Sequence, residues 1–174
     1  MASTDEIETG GPGPRRRRTV WRWLRWPLVG LVVIIVAVQL VPYGWSHPNP
    51  PVVRDAPWPD EQSAAIARTS CYACHSNETD WPLYSYVAPV SWLVRHDVEE
   101  GREQFNFSDW DRFAGEVEDA IEAVSDGDMP EDQYTWIHRD AELTADEARI
   151  LIRALGQMSA SEGSGDDRSG PDPD

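Results

Sequence analysis

The chain has only two cysteines, and both fall within one pentapeptide, Cys71-Tyr72-Ala73-Cys74-His75. A disulfide across two intervening residues would be strained, so this pair is a poor structural staple. If the pentapeptide forms the last turn of a helix, positions i, i+3 and i+4 share a face. Both sulfurs and the imidazole of His75 then point at one place, and the fold has to be built around whatever sits there.

Little chain is left over for a second domain. Residues 1–20 are polar and Gly/Pro-rich, then arginine-rich, and read as a cytoplasmic disordered tail. Residues 159–174 (SASEGSGDDRSGPDPD) read as a disordered acidic tail. Between them lies an apolar run, Pro27 to Val41, flanked by Trp21, Trp23 and Trp26 on one side and Tyr43 on the other. The run alone is shorter than the ~20 residues that span a bilayer, but the aromatic flanks lengthen it, so residues 21–43 are expected to form a transmembrane anchor. The four arginines Arg15 to Arg18 place the N-terminus inside and everything after Trp45 outside the cytoplasmic membrane. A cleaved signal peptide is the competing reading, but no small-x-small site follows the run. Residues 44–57 are rich in proline and read as an extended linker. That leaves 58–158 as a single domain of about 100 residues, small enough that a bound cofactor would form a large part of its apolar interior.

The apolar pattern in that domain is helical throughout. Asp60 is an expected N-cap for a helix leading to the cysteines, and Pro89 suits the first position of a second helix weakened toward its end by Gly101. Ser108 is an expected N-cap for a third helix carrying Trp110, Phe113, Val117, Ile121 and Val124 on one face, with Gly127 as its stop. Thr144 and Glu147 form a capping box for a last helix with Leu151, Ile152, Leu155 and Met158 as its buried stripe. No run alternates as a strand does, so the fold class is all-α.

Charge narrows the partners. Six arginines face three acids before Gly44, whereas nine arginines face 28 acids after it. Phosphate backbones would repel so acidic a body, which argues against nucleic acid and for a redox protein with a basic docking surface. The same surface also serves solubility.

Three chemistries compete for the pentapeptide. Thioether attachment of a haem c would use Cys71 and Cys74 on the vinyl groups and the His75 imidazole as an iron ligand. A thioredoxin-like dithiol would expect a βαβ context with the cysteines opening a helix, and that pattern is absent. Zinc would need further ligands, and with no second cysteine pair it would have to recruit His96 or His138. Export favours the haem reading, because c-type attachment takes place outside the cytoplasm. Met129, between the Gly127 stop and Pro130, is the expected sixth ligand, with a core role as its alternative; His96 or His138 would instead make a bis-histidine iron.

The segments CYACHSNET (71–79), APVSW (88–92), NFSDW (106–110) and the DMP around Met129 resemble the bacterial single-haem "haem-binding domain" family of small c-type cytochrome-like proteins. The resemblance covers about Trp58 to Leu155. It implies covalent haem on Cys71 and Cys74, iron ligation by His75 with Met129 opposite, and no particular reaction. The order of helix, CxxCH, late methionine and C-terminal helix is similar to the cytochrome c fold. A membrane-anchored one-electron carrier is the expected function. A haem-based sensor or ligand-binding module, and a haem-bearing accessory subunit of a larger oxidoreductase, are the alternatives. No catalytic constellation is legible.

Overall fold

The computed structural model describes residues 14–163, and they are all-helical. The chain divides into an N-terminal unit ending at Pro42 and a domain starting at Tyr43. The first unit is α1 (Pro14–Gln39), which contains Pro27. Of the expected 1–20 tail, residues 1–13 lie outside the described residues and the remainder is helical. Among the described residues no helix is long and apolar enough to cross a membrane. The helix stops at Gln39 rather than Tyr43, so its apolar portion from Pro27 extends only about 20 Å at 1.5 Å per residue, against roughly 30 Å of hydrocarbon.

The domain contains α2 (Glu61–Ser70), α3 (Tyr72–His75), α4 (Val90–Gln104), α5 (Trp110–Phe113), α6 (Val117–Asp126), α7 (Asp132–Ile137) and α8 (Ala145–Gly163). Among the described residues the only β feature is a single bridge between Arg54 and Asp109. Asp60 caps α2 as expected, accepting from the Ser63 N–H at 2.8 Å. The capping box at the start of α8 also forms: the Thr144 N–H donates to Glu147 and the Glu147 N–H to the Thr144 hydroxyl, at 2.9 and 3.3 Å. Helix α8 continues past Met158 to Gly163, and the rest of the expected acidic tail lies outside the described residues.

α8 packs against α2 and α6, and their shared interior is the core: Ala67, Trp110, Phe113, Val117, Leu151, Leu155 and Met158 are all buried. Burying an aliphatic or methionine side chain stabilises the fold by about 1.5–3 kcal/mol, so the α8 stripe dominates this side. Gly127 ends α6 in the left-handed conformation at φ +80, as a C′ glycine does.

Two expectations change. The third helix is not capped by Ser108: the N-cap of α5 is Asp109, which makes no side-chain capping bond, and a 3-10 turn at Ala114–Glu116 separates α5 from α6. Ser108 is buried instead, and its hydroxyl accepts from the Asn77 N–H at 3.0 Å. Tertiary hydrogen bonding has taken over the group that local capping would use. The proline-rich segment is extended, but it is strapped to the domain. Arg102 donates to the Pro48 carbonyl at 2.9 Å, Asn77 to that of Pro51 at 3.0 Å, and the Ala56 N–H to that of Phe107 at 2.8 Å. At Pro48 and Pro51, which have no N–H to give, the domain's side chains bond the carbonyls, and past the prolines the segment's own N–H groups donate to the domain's backbone.

Helix α4 crosses the turn that holds Cys74, and Gly101 makes that crossing close. A Cβ on Gly101 would lie 2.9 Å from the Cys74 carbonyl oxygen and 3.0 Å from the Cys74 Cβ. Neither is the end of a flexible side chain, so Gly101→Ala has to push α3 and α4 apart. Overpacking of this kind costs about 1–3 kcal/mol. Urea denaturation of the purified protein should show a lower midpoint for Gly101→Ala with the slope unchanged; an unchanged midpoint would mean the crossing is not tight.

Candidate functional site

The Cys71–His75 turn is a separate element rather than the end of α2. Helix α2 stops at Ser70, Cys71 departs from helical geometry (φ -124, ψ -38), and α3 starts at Tyr72. One helical turn survives the break, because the Cys71 carbonyl still accepts from the N–H groups of Cys74 and His75 at 3.2 and 3.0 Å. The reason for the break is Tyr72, which is buried and stacked on Phe107 at 5.1 Å. Its hydroxyl donates to Asp55 at 2.8 Å and accepts from the Trp58 indole N–H at 3.0 Å. The residue between the cysteines is thus the pin that fastens the turn to the core and the strap.

The residues after the turn form a buried polar lock. Ser76 donates to the Tyr72 carbonyl, Thr79 to the Ala73 carbonyl and Asn106 to the Asn77 side chain, at 2.7, 2.8 and 3.0 Å. Arg102 donates from Nε to the Ser76 carbonyl at 2.7 Å. The lock explains why the HSNET and NFS stretches are polar in the middle of a core: each group has a partner, as burial demands.

His75 is held from both ends. The Phe107 N–H donates to its carbonyl at 2.8 Å, and its Nδ1 lies 2.9 Å from the Phe105 carbonyl. A carbonyl only accepts, so Nδ1 carries the proton and Nε2 keeps its lone pair. Burial pushes the imidazole pKa down, partly opposed by the Phe105 and Gly101 backbone bonds, which keeps the ring neutral. Burial also pushes the Cys71 thiol up to about 12, with a smaller effect from Cys74. Cys74 rises to about 11, through burial first and then the Asp97 and Glu131 carboxylates. Both cysteines are free thiols. At neutral pH they are protonated, unlike the low-pKa thiolate of a redox dithiol.

Two adjoining cavities meet at this turn. The larger, of about 330 Å³, is lined by Cys71, His75, Phe105, Phe107, Ala120, Val124, Met129, Leu151 and Leu155, with Glu116 and Asp119 at its polar side. The smaller, of about 110 Å³, adds Cys74, Asp97, Glu100, Gly101, Glu131 and Tyr134 to Cys71, His75 and Met129. All four site residues expected from the sequence, Cys71, Cys74, His75 and Met129, therefore border one groove. Met129 reaches it from the end of α6, its N–H tied back to the Ala123 carbonyl at 3.1 Å. Met158, by contrast, is buried in the core as its stripe implies.

The competing histidines border neither cavity. His96 is exposed and pairs with Glu100 at 3.2 Å, and His138 Nε2 lies 2.5 Å from the Tyr84 hydroxyl while its ring stacks on Tyr134. Among the described residues no group of three His, Cys, Asp or Glu is placed to hold a metal ion. Sequence reading missed Phe105, Tyr72 and Gly101 as parts of the site. Gly101 left a signal, a glycine inside an otherwise helical pattern, which marks close approach of another backbone.

The groove suits a flat, apolar, iron-bearing macrocycle. It has an aliphatic and aromatic floor, a neutral imidazole with an unprotonated nitrogen, a thioether, and two protonated thiols on one edge. Comparison with curated proteins and with solved structures gave no match. The profile of one family, described as "Haem-binding domain", matches residues 33–157 and so takes in the strap together with the helical core. With most of its length inside that match, the chain belongs to the haem-binding domain family.

Proposed function

We propose that this domain carries one haem c, attached through Cys71 and Cys74 and held at the iron by His75 and Met129, and that it is a one-electron carrier tethered to the cytoplasmic membrane. The observation that carries the reading is the convergence of these four side chains on one largely apolar groove. When bound, haem would supply a one-electron couple, and ligation by Met129 would raise its potential relative to a second histidine. The chain's residues do the rest.

Cys71 and Cys74, as protonated thiols, would hold the group by adding across its vinyl double bonds, sulfur to one carbon and proton to the other, which would need no oxidant. The Phe105 carbonyl fixes the His75 tautomer and ring plane, the role that outer-shell acceptors play for metal-bound imidazoles. Met129, on a loop tied to α6, offers a soft sulfur without a charge to desolvate. Phe105, Phe107, Leu151 and Leu155 give the groove an apolar lining.

The rim selects a partner. Glu116 and Asp119 lie on one side and Asp97, Glu100 and Glu131 on the other, with no arginine among the lining residues. A basic docking surface on a redox protein complements that rim and would speed the encounter at low salt. The apolar 27–41 segment, its flanking tryptophans and the Arg15 to Arg18 cluster support a single-pass, N-in anchor that puts the domain outside the cytoplasm, where haem c is attached.

Acid-acetone extraction checks the attachment: haem should stay with the wild-type polypeptide and be lost from a Cys71→Ser/Cys74→Ser variant. Haem that extracts freely from wild type would replace haem c with a non-covalent haem. Met129→Ala should keep its haem but lose the sulfur-to-ferric-iron charge-transfer band in the absorption spectrum, with a lower midpoint potential. A spectrum identical to wild type would remove Met129 from the iron.

A further inference from the structure

The acidic residues of this domain avoid one region. No Asp or Glu lies between Glu8 and Asp55, and none between Asp80 and Asp97, although the chain has 31 in all. Within the domain, residues 44–47 of the first stretch pack against the second. Residue 44 abuts the first turn of α4, where a Cβ on Gly44 would sit 2.9 Å from the Ser91 carbonyl. Arg95 donates to the Ser46 carbonyl at 2.8 Å, His47 is bonded to the Ser85 carbonyl at 2.9 Å, and its ring stacks on Tyr86 at 4.0 Å. The point where the chain enters the domain is therefore fixed beside the 3-10 turn Leu83–Tyr86 and the start of α4.

That place is also one where the domain exposes apolar side chains, Val53 and the α7 pair Trp136 and Ile137 being others. Leu83 is 89% exposed, Trp45 60%, Tyr86 58%, and Val87 and Leu93 53% each. The only basic residues in the 81–96 stretch are Arg95 and His96, and each is paired with a glutamate further along α4, Glu99 and Glu100. An exposed apolar surface with aromatic members and no carboxylate among them has the chemistry of a face that rests at the boundary of headgroups and acyl chains. Along α4 the character then reverses, with Asp97, Glu99, Glu100 and Glu103 in its second half. Asp97, Glu100, Gly101 and Gln104 are also the α4 residues that line the groove, roughly 10 to 20 Å beyond Val90 at 1.5 Å per residue. The acid-free first half of this helix can approach an anionic bilayer, whereas the second half is repelled by it.

We propose that the surface formed by Trp45, Leu83, Tyr86, Val87, Val90 and Leu93 lies on the bilayer that receives the 27–41 segment, so that the domain is held in one orientation with its groove turned to the aqueous side. The strap is then a short, rigid hinge plate rather than a spacer, and the groove meets soluble partners rather than lipid-borne ones. This inference rests on the reading that residues 27–41 are embedded in membrane.

The test uses the full, haem-loaded chain in vesicles of phosphatidylcholine and phosphatidylglycerol containing a lipid with a diazirine high on its acyl chain. After flotation and photolysis, adducts are mapped by mass spectrometry. Adducts are expected on 27–45 and on 81–93, with none on 97–104 or 139–153. Val90→Glu/Leu93→Glu, at two exposed positions, should still float and keep the wild-type absorption spectrum while losing the adducts on 81–93. Adducts confined to 27–45 would overturn the inference and leave the anchor standing. Labelling spread evenly over the domain would overturn it too, since no face would then be preferred. A chain that neither floats nor labels would overturn both the inference and the anchor.

Discussion

His75 is bonded to the segment Phe105–Phe107 by its backbone and by its ring, and these two bonds join the halves of the site. The carbonyl bond from Phe107 sets where the Cys71–His75 turn lies, and the ring bond to Phe105 sets how its imidazole faces. Phe107 also stacks on Tyr72, and Phe105 meets Trp110 and Phe113 edge-on or tilted, so the contact continues into the core. Removing a partner from a buried donor or acceptor costs about 1–3 kcal/mol, which is a large part of what a domain of this size has. The polar lock of Ser76, Asn77, Asn106 and Ser108 and the Arg102 bonds to the strap surround this contact and restrict the same segments.

Burial sets the protonation state around that frame. The thiols are raised and the imidazole is lowered for the same reason, because a poorly hydrated groove disfavours charge. Carboxylates are kept to the rim, where Asp97 is itself raised by burial and by Glu131. The groove is thus neutral inside, with carboxylates at its border.

Much of the helical scaffold was legible in the residues. Asp60, Gly127 and the Thr144/Glu147 box act through neighbours three or four positions away, so their roles follow from spacing alone. The burial of Met158 and the loop position of Met129 follow from periodicity in the same way. Ser108, Tyr72 and Gly101 were misread or passed over because their partners are distant in sequence: Ser108 bonds Asn77, Tyr72 bonds Asp55 and Gly101 packs on Cys74. A proline-rich stretch reads as free spacer for a related reason. Its docking depends on donors, Arg95, Arg102 and Asn77, that the local sequence does not contain.

The sequence by itself determined the all-α class, the two-cysteine motif with its adjoining histidine and the uneven charge. These depend on residue type and short-range periodicity, which no tertiary contact can alter. Only the tertiary structure decided that Met129 shares a groove with His75, that the turn stands apart from α2, and that the strap and the acid-free end of α4 make one surface. Those outcomes depend on which long-range hydrogen bonds and buried contacts are satisfied together, and many arrangements of the same helices would satisfy the local pattern equally well.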